Sequence, residues 1–222
     1  MTWKRRTLTQ EERWELMVQQ DIVARGITDE SVVTAMRSVP RHRFVDSSLS
    51  ERAYDDRALP IESGQTISQP YIVALMVAAV DLTPTDRVLE VGTGSGYGAA
   101  VLGQLASRVW TVERIESLAD RARQLLEALG IDNVQVVHSD GTVGLPDQAP
   151  FDAIVVTASG PAIPDALRSQ LADGGRLVMP VGRTSGHQTL VRVHRHGDEY
   201  TQTELGGVVF VPLIGEQGWP AD

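Results

Sequence analysis

A glycine-rich turn at residues 90–97 constrains the fold of this chain more than any other part of its sequence. The turn reads Glu-Val-Gly-Thr-Gly-Ser-Gly-Tyr; it includes the end of the apolar run 88–91, and a helical pattern follows from about Gly98 to Ala106. Glycines between a strand and a helix let the backbone approach a ligand closely, and the helix N-terminus offers free N–H groups. The segment therefore predicts a βαβ unit with a ligand-binding turn.

Strand and helix patterns alternate along the rest of the chain. Apolar runs that predict four further strands lie at residues 109–112, 134–138, 153–157 and 176–180. A helix predicted over 117–129 fits this alternation, which is typical of βαβ units with helices on both faces of a sheet. Two successive strand patterns at 189–194 and 205–211 leave no room for a helix between them. We therefore predict an α/β fold with a mostly parallel sheet and an antiparallel C-terminal edge.

The first 80 residues follow a different pattern. Helical segments are predicted at residues 9–26, 28–39 and 70–80. Thr9 and Glu12 can form a capping box at the start of the first helix, whereas residues 41–69 are predicted to be mostly loop. The chain is therefore expected to consist of an N-terminal helical and loop region (1–80) followed by a sheet domain (81–222).

Composition and charge exclude several function classes. The 29 acidic residues outnumber the 20 basic ones, and the net charge of −9 argues against a nucleic-acid surface, which needs basic side chains. The absence of cysteine excludes a disulfide scaffold, a thiolate metal site and a thiol nucleophile. The longest apolar run, 71–80, is shorter than the roughly 20 residues that span a membrane. The basic residues 4–6 precede no apolar segment, so we expect no secretory signal and a cytoplasmic protein.

Carboxylates mark the ends of three successive predicted strands. Glu90 lies just before the glycines, Glu113 ends the second strand, and Asp140 follows the third strand together with Gly141. Ligands of open α/β sheets bind at this edge, where Glu113 can accept hydrogen bonds from both hydroxyls of a ribose. The Asp140 carboxylate and the Gly141 N–H group can contact an adenine edge. The three acids together predict a ligand that contains a nucleoside.

The spacing of the glycines distinguishes two classes of cofactor. Gly92, Gly94 and Gly96 form a Gly-x-Gly-x-Gly pattern, but Tyr97 stands where a dinucleotide fingerprint requires glycine. The pattern with a preceding acid is instead that of S-adenosylmethionine-dependent methyltransferases. No lysine of the Walker type follows the turn, which argues against nucleotide triphosphate hydrolysis. A tight strand–helix turn that binds no ligand is the alternative at this point.

Segments along nearly the whole chain resemble one family of such enzymes, the protein-L-isoaspartate O-methyltransferases. The most specific of them is Gly-Gln-Thr-Ile-Ser-Gln-Pro at residues 64–70. The other matching segments are residues 36–45, 53–56, 59–61, 88–97, 150–158, 170–171, 174–175, 180–182 and 210–213. On these segments the chain is identified as a member of the family.

The resemblance implies a reaction and a fold. The reaction is methyl transfer from S-adenosylmethionine, which leaves as S-adenosylhomocysteine, to the α-carboxylate of an L-isoaspartyl residue in a damaged protein or peptide. The methyl ester then closes to a succinimide without enzyme help, and hydrolysis returns part of the chain to normal aspartate. The implied fold is the Rossmann-like methyltransferase sheet, with its last two strands exchanged relative to the commoner order.

The resemblance also implies roles for individual residues. Ser68 is the active-site serine, which donates a hydrogen bond to the substrate carboxylate, and Thr66 and Ile67 lie between cofactor and substrate. The positions that match the cofactor site of the family are Glu90, Gly92, Thr93, Gly94, Gly96, Glu113, Asp140 and Gly141. No metal ion is implied, and the expected partners are isoaspartyl proteins and peptides, with neither nucleic acid nor membrane. We expect a monomer.

Other interpretations remain open from the sequence. A dedicated enzyme of the same family shape could esterify ordinary aspartate in one precursor peptide, and a non-catalytic module could keep only the cofactor site. Without the resemblance, Ser68 or Thr66 would be interpreted as a helix cap before Pro70. His194 and His196 share one strand face, but no third ligand accompanies them, so we interpret them as a solvated hairpin end.

Overall fold

The computed structural model describes residues 8–184 and 186–220, and nine strands occur within them. They are β1 (Leu59–Pro60), β2 (Thr66–Ile67), β3 (Arg87–Val91), β4 (Arg108–Glu113), β5 (Val134–His138), β6 (Phe151–Val156), β7 (Leu171–Gly182), β8 (Gln188–His196) and β9 (Glu199–Val208). β1 and β2 pair as a short antiparallel hairpin, and the other seven strands form one sheet in the order β5-β4-β3-β6-β7-β8-β9.

The direction of the strands confirms the predicted sheet. Neighbouring strands from β5 to β7 are parallel, whereas β8 is antiparallel to both β7 and β9. The last two strands follow β7 in the order of the chain, as the family resemblance implied. The Rossmann-like methyltransferase sheet with an antiparallel C-terminal edge is therefore present.

Helices cover both faces of the sheet. They are α1 (Gln10–Leu16), α2 (Glu30–Ser38), α3 (Pro70–Ala79), α4 (Tyr97–Gly103), α5 (Glu116–Ala128) and α6 (Asp165–Ser169). Successive strand residues point to opposite faces, so Val88 belongs to a large apolar cluster with α2 to α5, and Leu89 belongs to a second cluster with α6. Each helix in the described part of the chain is too short or too polar to cross a lipid bilayer.

The structure corrects several predicted boundaries in the sheet domain. β7 begins at Leu171 rather than at residue 176. Leu171 pairs with Phe151 at the start of β6, and a register shift separates this pair from the next one, Arg176 with Ala153. α6 was not predicted, since five residues are too few for a helical period. β9 spans Glu199–Val208 rather than 205–211. Its side chains are mostly exposed, so this edge strand has no apolar alternation that a sequence pattern could reveal.

The helical N-terminal region also differs from the prediction in detail. The capping box of Thr9 and Glu12 is present, but α1 continues as a π-helical turn over Met17–Ile22 and a tight turn over Val23–Arg25. Asp29 caps α2 by accepting hydrogen bonds from two backbone N–H groups. Because the larger apolar cluster includes residues on both sides of residue 80, this region packs directly on the sheet domain.

Candidate active site

A cavity of about 820 Å³ lies at the carboxyl ends of β3 and β6. Its walls come from α3 with the segment before it, the glycine turn, the β7–β8 connection and the segment after β9. The lining includes residues 66–69, 92–95, 97–98, 184, 186–188 and 207–212. Ser68, Thr66 and Ile67 thus face the same space as Glu90, Gly92, Thr93 and Gly94. The structure brings together residues that were predicted separately for substrate and cofactor.

A second, smaller cavity of about 70 Å³ adjoins the first. Residues that line both cavities are Thr66, Gly92, Gly94, Thr157, Val211 and Pro212. The smaller cavity extends to Glu113 and Gly141, at the ends of β4 and β5. The two cavities together follow the carboxyl edge of the sheet, which is where the sequence predicts the cofactor.

The glycine turn needs its small residues for two close contacts. Gly92 has a φ of +97°, and a Cβ atom there would clash with Thr157 Oγ1. The Thr157 hydroxyl donates a hydrogen bond to the Gly92 carbonyl oxygen at 2.7 Å, so the residue that follows β6 supports the turn directly. A Cβ atom at Gly98 would clash with a carboxylate oxygen of Glu90. Glycine at these positions therefore allows the end of β6 and the Glu90 side chain to pack against the turn.

The carboxylate of Glu113 is fixed by backbone groups. One oxygen accepts a hydrogen bond from the Gly94 N–H group at 2.9 Å, and the other accepts one from Ile115 N–H at 3.0 Å. Each carboxylate oxygen can accept more than one hydrogen bond, so both retain a lone pair. Since Glu113 also lines the smaller cavity, its carboxylate can accept hydrogen bonds from two neighbouring hydroxyl groups.

Glu90 occupies the buried side of the larger cavity. The Thr111 hydroxyl donates a hydrogen bond to it at 2.6 Å, and Thr111 lies 2.6 Å from the Thr93 hydroxyl. Burial raises the pKa of Glu90 to about 8; the Thr111 hydrogen bond lowers it and the nearby charge of Glu113 raises it. The Glu90 side chain is therefore a carboxyl group that keeps its proton near neutral pH.

Asp140 and Gly96 lie outside the linings of both cavities. Asp140 accepts hydrogen bonds from Thr142 N–H and the Thr142 hydroxyl, at 2.8 and 2.7 Å, and from Glu216 N–H at 2.8 Å. Burial raises the pKa of Asp140, but the three hydrogen bonds together lower it by more. The pKa of Asp140 is therefore below its ordinary value. Gly96 packs against Ala122 of α5. Cofactor binding by these two residues stays a prediction.

The segment before α3 presents Ser68 to the cavity. Thr66 and Ile67 form β2, which pairs with β1, and the chain then turns into α3 at Pro70. The N-cap residue of α3 is Gln69, and it makes no capping hydrogen bond with its own side chain. Neither Ser68 nor Thr66 caps this helix, so the capping interpretation of Ser68 and Thr66 is wrong.

Sequence reasoning missed three polar side chains around the cavity. Asp56 accepts hydrogen bonds at the start of α3, and Gln188 bonds to both backbone groups of Phe210. Arg41 is completely buried and donates a hydrogen bond from Nε to the Ala53 carbonyl oxygen at 2.7 Å. A loop residue carries no periodicity, so only its place in a family motif could have indicated such a role.

Outside the cavity, the rings of His194 and His196 are tilted by 53° with centroids 3.9 Å apart, and His194 Nε2 lies 3.1 Å from the Gly174 carbonyl oxygen. Across the part of the chain that the structure describes, no three His, Asp or Glu side chains are grouped to hold a metal ion.

The family model for protein-L-isoaspartate(D-aspartate) O-methyltransferases matches residues 12–218. The chain belongs to this family. Membership confirms the family that the sequence segments predicted, and with it an O-methyltransferase that uses S-adenosylmethionine.

Proteins of this family resemble the chain over most of its length. Protein-L-isoaspartate O-methyltransferase 2 of Pelobacter propionicus is 57 % identical over 211 residues, which cover 95 % of this chain and 94 % of that protein. The protein-L-isoaspartate O-methyltransferase of Methanoculleus marisnigri is 54 % identical over 208 residues, 94 % of either chain.

Solved structures of the family share the fold. One protein-L-isoaspartate O-methyltransferase superimposes with a TM-score of 0.83 and 28 % identity, covering 95 % of this chain and 67 % of that one. A structure from Plasmodium falciparum assigned to the same family has a TM-score of 0.77 and 26 % identity, covering 90 % of this chain and 98 % of that one. The Plasmodium falciparum protein is in complex with S-adenosylhomocysteine.

Proposed function

We propose that this protein methylates the α-carboxylate of L-isoaspartyl residues in damaged proteins and peptides with S-adenosylmethionine, which starts their repair through a succinimide. One observation carries the proposal: the Thr66–Ser68 segment and the glycine turn line a single cavity. A donor and an acceptor can therefore meet there. Membership of the protein-L-isoaspartate O-methyltransferase family supports the choice of acceptor.

Residues along the two adjoining cavities suit the cofactor. S-adenosylmethionine, when bound, supplies a reactive methyl group on a positively charged sulfur. In the proposal Glu113 accepts hydrogen bonds from the ribose hydroxyls, and Asp140 with Gly141 contacts the adenine. The turn at 92–96 lets the backbone approach the cofactor, and the buried face of the cavity at Glu90 and Thr93 receives its amino-acid part.

The substrate side needs few groups. A carboxylate is already ionised at neutral pH, with an ordinary pKa of about 4, so it can attack the methyl group without a general base. Ser68 donates a hydrogen bond to one carboxylate oxygen and directs the other towards the methyl group, while Thr66 and Ile67 flank it. Because attack must be in line, positioning contributes most of the rate.

The proposal extends to how the protein is organised and where it acts. Residues 1–80 carry the substrate-binding segment and residues 81–222 hold the cofactor. We propose that the enzyme acts in the cytoplasm as a monomer, without nucleic acid as a partner. The net charge of −9 supports the last point.

Two short peptides that differ only in isoaspartyl or aspartyl at one position test the proposal. Incubation with the protein and S-adenosylmethionine should add one methyl group to the isoaspartyl peptide alone, followed by a product that has lost methanol. Ser68→Ala should lower kcat by about 100-fold and leave the affinity for S-adenosylhomocysteine unchanged, because only one donor to the carboxylate is lost. The exposed Ser169→Ala variant serves as control.

Mass spectrometry follows the peptides and calorimetry follows cofactor binding. Methylation of the aspartyl peptide would favour the dedicated peptide-tailoring alternative, and methylation of neither peptide would contradict the proposal.

A further inference from the structure

The carboxylate of Asp56 joins Arg25 to the segment that follows Ser68. Its Oδ2 atom accepts a hydrogen bond from the side-chain amide of Gln69 at 2.6 Å and pairs with Arg25 Nη1 at 2.7 Å. Its Oδ1 atom accepts a hydrogen bond from the Tyr71 N–H group at 3.2 Å. Two of these partners, Gln69 and Tyr71, belong to the chain that runs from Ser68 into α3.

Asp56 replaces a conventional cap of α3. The first N–H groups of a helix have no partner within the helix, and a side chain at the N-cap position usually satisfies one of them. Gln69 stands at that position without a capping hydrogen bond, so the Tyr71 N–H group is satisfied by Asp56 from another segment. A negative charge at a helix N-terminus is also favourable.

The position of Asp56 is itself fixed by neighbouring groups. The Arg25 guanidinium lies 3.4 Å above the Tyr71 ring while it pairs with Asp56, and the Asp56 side chain is only 18 % exposed. Arg41 is completely buried and donates to the Ala53 carbonyl oxygen, so it holds the segment that leads into Asp56. Asp56 is therefore held in place, and through its hydrogen bonds it fixes the start of α3.

We propose that Asp56 is a positioning residue for the methyl transfer, acting through Gln69 and the first turn of α3 to hold Ser68 against the cofactor. The inference rests on the proposed function, in which Ser68 binds the substrate carboxylate. Asp56 is not among the residues that line the cavity, whereas Ser68 and Gln69 are. Its effect is confined to where Ser68 stands.

Asp55 offers a matched control. It is adjacent in sequence, its side chain is 42 % exposed, and it pairs only loosely with Arg52 and Arg57, at 3.6 Å in both cases. Asp56→Asn and Asp55→Asn make the same chemical change, but only Asp56→Asn replaces an acceptor of the α3 contacts with a donor. Comparison of the two variants separates the effect of displacing Ser68 from the general effect of losing one negative charge.

Amide hydrogen exchange of both variants, followed by mass spectrometry, tests the contact without requiring activity. We expect Asp56→Asn to accelerate exchange in peptides that cover residues 66–73 and to leave the sheet peptides unchanged, whereas Asp55→Asn changes neither. Unchanged exchange at 66–73 would overturn the proposal. Faster exchange throughout the protein would overturn it as well, because it would show a general loss of stability.

Kinetics with the isoaspartyl peptide complete the test. A misplacement of about 1 Å costs on the order of 100-fold, so Asp56→Asn should lower kcat by 10- to 100-fold while KM for S-adenosylmethionine stays unchanged. An unaltered kcat with locally faster exchange would also overturn the positioning role. If the wild-type protein fails to methylate the peptide, the proposed function fails, and the exchange data alone decide whether Asp56 holds this segment.

Discussion

Glu90 places a carboxyl group, 1 % exposed, on the wall of the larger cavity, where it accepts a hydrogen bond from Thr111. Removing a charged carboxylate from water is costly, so the folded protein prefers the protonated form. The negative charge of Glu113 acts in the same direction. The protonation state of Glu90 therefore affects the free energy of unfolding.

This connection predicts a pH dependence of stability. The pKa of Glu90 rises from 4.5 to about 8 on folding, so between these values the folded state binds a proton that the unfolded chain releases. The stabilisation is complete below pH 4.5 and is lost as the pH rises from there through about 8, by at most about 1.4 kcal/mol per pH unit. Urea unfolding of wild type and Glu90→Gln should show a stability difference that shifts in favour of the variant as the pH rises. Parallel pH profiles of the two proteins would contradict the prediction.

Residues with local patterns were predictable, and residues with distant partners were not. The spacing of Gly92, Gly94 and Glu113 indicated a ligand site because strand, turn and acid follow one another along the chain. Asp56 acts on α3 from a loop, and its contacts with Arg25 and Gln69 span 31 and 13 residues. Only the folded chain reveals such partners.

At the scale of elements, apolar strands were predictable and solvated ones were not. The β3 strand is buried at four of its five residues, so its apolar run is evident in the sequence. The β9 strand is an exposed edge whose backbone pairs with β8, and β7 carries two glycines that interrupt its apolar pattern before residue 176. A strand that is held mainly by backbone hydrogen bonds need not alternate apolar and polar side chains, so its sequence does not predict it.

The segment after β9 forms a wall of the cavity and depends on Gln188. The buried Gln188 side chain accepts a hydrogen bond from Phe210 N–H at 2.6 Å and donates one to the Phe210 carbonyl oxygen at 3.0 Å. Gln188→Leu removes both bonds, together with the one that Gln188 Nε2 donates to the Arg183 carbonyl oxygen at 3.2 Å, and should lower the free energy of unfolding by about 1–3 kcal/mol. The loosened wall should also raise KM for the peptide. Urea unfolding and steady-state kinetics provide the measurements, with exposed Gln202→Leu on β9 as control; an unchanged KM would show that this wall does not contact substrate.

At the scale of the whole molecule, the N-terminal region and the sheet domain share one core. Phe44 and the buried Tyr97 ring pack edge to face with centroids 5.5 Å apart, and the Tyr97 hydroxyl lies 3.9 Å from the Met36 sulfur. Arg176 of β7 donates hydrogen bonds to the carbonyl oxygens of Val80 and Asp81, at 2.7 and 2.6 Å. The packing is thus continuous across residue 80, where the sequence predicted a boundary.

Continuous packing predicts that the protein unfolds in one cooperative transition. Calorimetry should give a single peak whose calorimetric and van't Hoff enthalpies agree, since neither region keeps its core without the other. S-adenosylhomocysteine binds only the folded state, so at 100 times its Kd it should stabilise the whole protein by about 2.7 kcal/mol and move the entire peak. Two peaks, of which only one moves with the ligand, would mean that residues 1–80 fold independently of the sheet. In that event the Asp56 contacts could not hold Ser68 in a fixed place beside the cofactor.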